Sequence, residues 1–170
     1  MEHHHLVLTG LSGAGKSTVG QLLASTSDRR FCDLDRQLEV ASELSISEMF
    51  DTWGEEGFRR REFALLKSIL DGEPTVIAAG GGALVTDISR QMVRTNGLLV
   101  WLRVTPGIAA QRVSRSESRP LLQGNTQNAL EQLLELRRLS YADCDFSVDT
   151  DERSPEEAVG CILEWLAGRS

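Results

Sequence analysis

The segment Gly10-Leu11-Ser12-Gly13-Ala14-Gly15-Lys16-Ser17 follows directly on the apolar run Leu6-Val7-Leu8 and opens the amphipathic stretch Ser17–Ala24. It fits the pattern G-x-x-x-x-G-K-[ST], a phosphate-binding loop set between a short buried strand and a helix. The glycines let successive backbone N–H groups turn inward around a polyphosphate, and the helix N-terminus adds a favourable dipole. Lys16 then reaches β- and γ-phosphate oxygens, and the Ser17 hydroxyl is placed to ligate Mg²⁺. Lysine usage points the same way, because the chain holds only Lys16 and Lys67 against 16 arginines. The segment marks a nucleotide-binding protein of the α/β class.

Outward from this loop, short apolar runs alternate with longer amphipathic ones. The strands are read at Leu6–Thr9, Phe31–Leu34, Thr75–Ala79, Leu98–Leu102 and Phe146–Asp149. Helical patterns lie between them at Ser17–Ala24, Arg36–Leu44, Ser47–Trp53, Glu55–Leu70, Asp87–Thr95, Pro106–Arg115, Gln127–Tyr141 and Pro155–Leu166. Pro106 and Pro155 suit first helical positions, with Thr105 and Ser154 as N-caps. Strands joined by crossover helices build a parallel sheet covered on both faces, and ligands of such sheets bind beyond the strand carboxyl ends.

Composition narrows the function classes. The 170 residues suit one domain, 1–170, with 41% hydrophobic and 25% charged residues and no low-complexity tract. A net charge of −7 does not favour nucleic acid. No apolar run approaches the ~18 residues of a membrane span, and no basic-then-apolar leader is present, so a cytoplasmic protein is expected. Cys32, Cys144 and Cys161 lack a C-x-x-C pair and read as buried thiols. His3, His4 and His5 are either a tag remnant or a native start.

Four further segments carry chemistry. Asp33-Leu34-Asp35 closes the second strand, where alternation sends both carboxylates to one side; one suits Mg²⁺ and the other a substrate hydroxyl, against capping of the next helix. In Gly54-Glu55-Glu56-Gly57-Phe58-Arg59-Arg60-Arg61-Glu62, three arginines point around most of a helical circumference. Two readings stand: one of them offers a planar fork to a carboxylate, or all are solvated and paired to Glu55, Glu56 and Glu62. Gly80-Gly81-Gly82 ends the third strand, where backbone close to an anionic ligand competes with a plain loop. Arg112 through Leu122 is polar, rich in serine and arginine, interrupts the helical pattern and meets Pro120. It reads as a mobile lid over transferred phosphate or as an ordinary solvated loop. Arg137-Arg138, in the helix before Tyr141, is one more candidate anion contact.

Together these stretches resemble the shikimate kinases of the P-loop, nucleoside-monophosphate-kinase-like group. The resemblance is carried by GLSGAGKST from Gly10, FCDLD from Phe31, SISEMF from Ser45, GEEGFRRRE from Gly54, AAGGGAL from Ala78, VWLRV from Val100, RPLL from Arg119 and Arg-x-x-x-Tyr from Arg137. It implies a three-layer fold with a five-stranded parallel sheet of order 2-3-1-4-5, a substrate-binding helical region about 35–62 and a lid about 113–124. It also implies phosphorylation of the shikimate 3-hydroxyl by ATP with Mg²⁺, in a monomer. By position, Asp35, Arg59, Gly80, Gly81, Gly82 and Arg137 would line the shikimate pocket, with Phe50 and Phe58 as apolar walls. Gly13, Ala14, Gly15, Lys16, Ser17 and Thr18 would hold ATP, Ser17 and Asp33 the metal; Arg119 would be the lid arginine and Arg112 would stack on adenine. Lys16, Asp35 and Arg119 would be the catalytic set. The family's Arg-x-Pro-Leu-Tyr has lost its proline in Arg137-Arg138-Leu139-Ser140-Tyr141, which leaves Arg137 and Arg138 both open as the pocket arginine. A gluconate or adenylylsulfate kinase would share GLSGAGKST without requiring GEEGFRRRE or the three glycines. A catalytically silent relative would have lost Lys16, Asp35 or a clamping arginine.

Overall fold

A computed structural model describes residues 4–115 and 126–169. The chain runs β1 (His5–Thr9), α1 (Lys16–Thr26), β2 (Arg30–Asp33), α2 (Leu34–Ser42), α3 (Ile46–Leu70), β3 (Thr75–Ala78), α4 (Asp87–Asn96), β4 (Gly97–Arg103), α5 (Pro106–Ser114), α6 (Thr126–Ala142), β5 (Phe146–Asp149) and α7 (Pro155–Ala167). All strand pairs are parallel and the sheet order is β2-β3-β1-β4-β5.

Strand periodicity explains how both faces become core. Leu6 and Leu8 of β1 point to one side, with Val19 and Leu23 of α1, Val100 and Leu102 of β4 and Ile162 of α7. Val7 points to the other, with Ile77, Leu99, Val93 of α4 and Leu66 and Leu70 of α3. Each of these aliphatic side chains contributes about 1.5–3 kcal/mol by leaving water. A third, smaller cluster of Leu38, Met49 and Phe58 packs α2 on α3 beside the site. Because β1 is flanked by β3 on one side and β4 on the other, the chain reverses direction across the sheet at β1, and a crevice opens beyond its carboxyl end.

Element borders differ from the sequence reading in instructive ways. The two helices expected at Ser47–Trp53 and Glu55–Leu70 form one helix, α3, kinked at Gly54 (φ 65°, ψ 175°), a conformation that glycine supplies without a Cβ clash. β2 stops at Asp33, so Asp35 belongs to the first turn of α2 and not to a strand. Ser154 forms a full capping box with Glu157, whereas Thr105 stands at the N-cap of α5 with no side-chain cap bond. The three cysteines are half-buried rather than buried, and burial pushes the thiols of Cys32 and Cys144 up.

His5 is part of the architecture. It is 2% exposed, and its Nδ1 accepts the Thr75 N–H at 3.1 Å where β3 begins. Burial holds the imidazole below its ordinary pKa although backbone groups of Leu70 and Gly72 pull the other way.

Candidate active site

The phosphate loop leaves β1 and enters α1 with Gly13 (φ 82°) and Gly15 (φ 88°) in the left-handed region. At Gly13 a Cβ would also stand 2.6 Å from the Ala109 carbonyl oxygen of α5, so loop and helix are in backbone contact there. Lys16 is buried at the start of α1 and its Nζ donates to the carbonyls of Gly10 (2.9 Å) and Leu11 (2.8 Å). The ammonium is thereby held under the loop.

Asp33 takes the capping role that the sequence offered as one alternative, and it also meets Ser17. Its Oδ1 caps α2 by accepting the Arg36 N–H at 3.2 Å, and its Oδ2 accepts a short hydrogen bond from the Ser17 hydroxyl. Hydroxyl and carboxylate thus meet at the mouth of the loop, a hard-oxygen pair of the kind a divalent cation takes while keeping waters and phosphate oxygens as its other ligands. Among the described residues no group of three or more His, Cys, Asp or Glu could hold a metal alone. The same cleft, about 220 Å³, is bordered by Lys16, Ser17, Asp33, Asp35, Gly80 and Arg112. Beside it lies a second hollow of about 200 Å³ with Thr18, Arg112, Thr150, Arg153 and Pro155 on its walls. Arg112 is fixed between them: it donates to the carbonyl oxygens of Thr150 (2.5 Å), Gly13 (3.3 Å) and Asp151 (3.3 Å).

Around Gly80-Gly81-Gly82 the second half of the site assembles. None of the three has a positive φ, so space, not left-handed backbone, excludes side chains here. A Cβ on Gly80 would lie 2.7 Å from Glu62 Oε1 and 2.8 Å from Asp35 Oδ1; on Gly81, 3.2 Å from Arg137 Nη1; on Gly82, 2.6 Å from the Arg59 Cζ. Two carboxylates and two guanidiniums therefore converge on one turn from α2, α3 and α6. Phe50 and Phe58 stack at 4.4 Å between centroids, and the Arg59 Cζ lies 5.2 Å from the Phe58 ring centroid.

The three arginines of α3 divide as their helical angles require. Arg59 turns inward and pairs with Glu62 at 2.6 Å, Arg60 pairs with Glu56 in solvent, and Arg61 lies 3.9 Å above the Trp53 ring. On α6, Arg137 approaches Gly81 and hydrogen-bonds Tyr141, while Arg138 is exposed. The helix continues through the position of the missing proline and keeps Arg137 on the inner face. Arg119 and most of the expected lid lie outside the described residues; Val113 to Arg115, at its start, finish α5.

Two residues of this site were named in the sequence without a place in the pocket, Glu62 as a surface partner of the arginines and Tyr141 as the end of the Arg-x-x-x-Tyr stretch. Glu62 is 2% exposed, its Oε1 has no hydrogen-bond partner among the described residues, and burial pushes its carboxyl up despite the Arg59 charge. Its i+3 spacing from Arg59 was the available signal. Tyr141 is 1% exposed and donates to the Gly81 carbonyl at 2.6 Å; burial raises its hydroxyl pKa.

The sequence model of the family described as "Shikimate kinase" matches residues 12–167. The shikimate kinase of Pseudomonas paraeruginosa is 42% identical over 164 residues, covering 95% of each chain. That of Paramagnetospirillum magneticum is 40% identical over 162 residues, 95% of this chain and 83% of the relative. Among solved structures, shikimate kinase from Acinetobacter baumannii in complex with shikimate superposes with a TM-score of 0.93 at 31% identity, over 99% of this chain and 95% of that one.

Proposed function

The chain belongs to the shikimate kinase family, and from that premise we propose how its own residues perform ATP-dependent phosphorylation of shikimate in aromatic amino acid biosynthesis. The observation that carries the assignment of roles is the convergence of Asp35, Arg59 and Arg137 on the glycine turn at the edge of the phosphate-loop cleft. Shikimate has one carboxylate and three hydroxyls. Two guanidinium forks suit the first, and a carboxylate with backbone amides suits the others.

Arg59 and Arg137 hold the substrate carboxylate, with Phe50 and Phe58 against the ring. Glu62 anchors Arg59 from the buried side, so that the fork is oriented before substrate arrives. Gly80, Gly81 and Gly82 keep the pocket open for these side chains. Asp35 accepts a hydrogen bond from the 3-hydroxyl and points its oxygen at the γ-phosphorus. The new O–P bond forms as the bond to the β-phosphate oxygen breaks, and the hydroxyl proton leaves towards Asp35. A loose transition state asks more for placement than for basicity.

The nucleotide phosphates follow Gly13, Ala14, Gly15 and Thr18, with Lys16 supplying a compact positive charge at the β- and γ-oxygens. The base lies in the second hollow, between the flat Arg112 guanidinium and Pro155. Kinases of this family work with a divalent metal; Ser17 and Asp33 would hold Mg²⁺, which neutralises developing phosphate charge when bound. Arg119 remains the lid arginine on the strength of the RPLL stretch alone. The reaction belongs in the cytoplasm, and a monomer suffices, since one chain supplies every named contact.

Purified protein assayed for ADP release with shikimate, gluconate and adenylylsulfate in turn tests this reading. Turnover is expected with shikimate; comparable turnover with either other acceptor would refute it. A catalytically silent chain is disfavoured, since Lys16, Asp35, Arg59 and Arg137 are all in place.

A further inference from the structure

α6 carries more than Arg137 towards the glycine turn. Tyr141 donates to the Gly81 carbonyl at 2.6 Å and Ser140 Oγ to the Val85 carbonyl at 3.1 Å. Just past the helix, Asp143 receives the Arg90 Nε at 2.8 Å and a short bond from Arg94, both from α4. Arg90 is 6% exposed and spends its remaining donors on the Leu84 carbonyl (2.9 Å), the Val85 carbonyl (2.7 Å) and the Asp87 carboxylate. One buried guanidinium therefore bridges the end of the glycine turn to the end of α6.

None of these groups borders the phosphate-loop cleft, and the carboxylates that face Arg90 are 42% (Asp143) and 83% (Asp87) exposed, where an ion pair is a poor source of stability. What a planar, five-donor cation does better than an apolar side chain is fix several acceptors at set positions. We infer that Arg90 and Asp143 are positioning residues that lock the end of α6 to the 80–85 turn and so set the separation of Arg137 from Arg59. The inference rests on the reading of those two arginines as the carboxylate clamp. The network acts on a part of the substrate that does not react, so its loss weakens ground-state and transition-state binding alike. That raises KM for shikimate and leaves kcat nearly unchanged.

Three variants test it. Asp143→Asn offers one acceptor and one donor where two guanidiniums need two acceptors. Arg90→Lys keeps charge but cannot span both carbonyls and the carboxylate. Ser140→Ala removes a single hydroxyl and keeps the helix. Asp143→Asn and Arg90→Lys are expected to raise KM for shikimate by about tenfold, with KM for ATP unchanged, and Ser140→Ala to raise it less in the same direction. Val93→Ala, which hollows the core beneath α4 without touching the network, is expected to lower Tm and leave KM for shikimate at the wild-type value. Should Arg90→Lys fail to fold, Asp143→Asn and Ser140→Ala still decide. Wild-type KM for shikimate in those two variants, or equal rises in both substrates' KM, would overturn the inference. A wild-type chain that does not turn over shikimate would instead overturn the clamp reading and this inference with it.

Discussion

Gly82→Ala places a methyl group against the end of Arg59 and nothing else that cannot give. The new Cβ would lie 2.6 Å from the Arg59 Cζ and 2.8 Å from its Nη1. Ordinary carbon contacts begin at about 3.5 Å, so the guanidinium must retreat by about 1 Å. The side chain is 30% exposed and its far end can swing, so the fold absorbs the change. Gly82 also has no positive φ, and alanine slightly restricts the unfolded chain. What gives way is the 2.6 Å bond to Glu62 and with it the direction of the fork. A charge-assisted hydrogen bond to the substrate carboxylate is worth about 1.5–3 kcal/mol, which converts to a rise in KM for shikimate of roughly 10- to 150-fold. Coupled ADP-release kinetics with each substrate varied, alongside a thermal melt, should show that rise with Tm and the KM for ATP unchanged. The neighbouring glycines sharpen the test. Gly80→Ala pushes on Asp35 and Glu62 and should lower kcat, while Gly81→Ala, 3.2 Å from Arg137 Nη1, should have the mildest effect. A folded Gly82→Ala protein with wild-type KM for shikimate, or one losing ATP and shikimate affinity together, would refute the reasoning.

Further expectations follow from the same geometry. Asp35→Asn keeps shape but removes the charge that orients the hydroxyl, and kcat should fall about 10²-fold or more with ATP binding intact; a loss confined to nucleotide affinity would move Asp35 to the metal site. Arg137→Lys should raise KM for shikimate by about tenfold and Arg138→Lys should not; the reverse pattern in steady-state kinetics would place the helix register wrongly. His5 is buried neutral, with its pKa depressed below 6.5. Its contribution to stability is therefore complete above that value and declines as pH falls from 6.5 towards the folded-state pKa. His5→Asn keeps an acceptor for the Thr75 N–H but does not titrate, so urea midpoints measured from about pH 5 to pH 8 should fall less steeply on the acid side than in wild type. Equal slopes would show that His5 does not carry the effect.

Periodicity made much of this molecule legible before any fold was in view. The phosphate loop could be read because its pattern is local: glycine amides, a lysine and a hydroxyl all lie within eight consecutive residues. The strand positions were legible for a similar reason, since a run buried on both faces is continuous in the sequence. The Arg59-Arg60-Arg61 run was different. Its composition fits a surface patch and a ligand clamp equally well, and only the packing of α3 turns Arg59 inward to Glu62 while Arg60 and Arg61 stay in solvent. Asp35 was expected at a strand end, and the local reason was wrong. The strand ends two residues earlier, and the first turn of α2 carries it to Gly80.

The sequence by itself determined the α/β class, the nucleotide loop and, through its resemblance, the family, because each of these is written in contiguous residues whose spacing fixes their relation. The tertiary structure alone decided which of two adjacent arginines on α6 reaches the glycine turn. It also brought Glu62 and Arg59 against Gly80 and Gly82, and tied Arg90 to Asp143 across 53 positions of chain. Those relations depend on how α3, α4 and α6 lie against the sheet. The crossing of packed helices is set by the summed contacts of the core, which no local window of sequence contains.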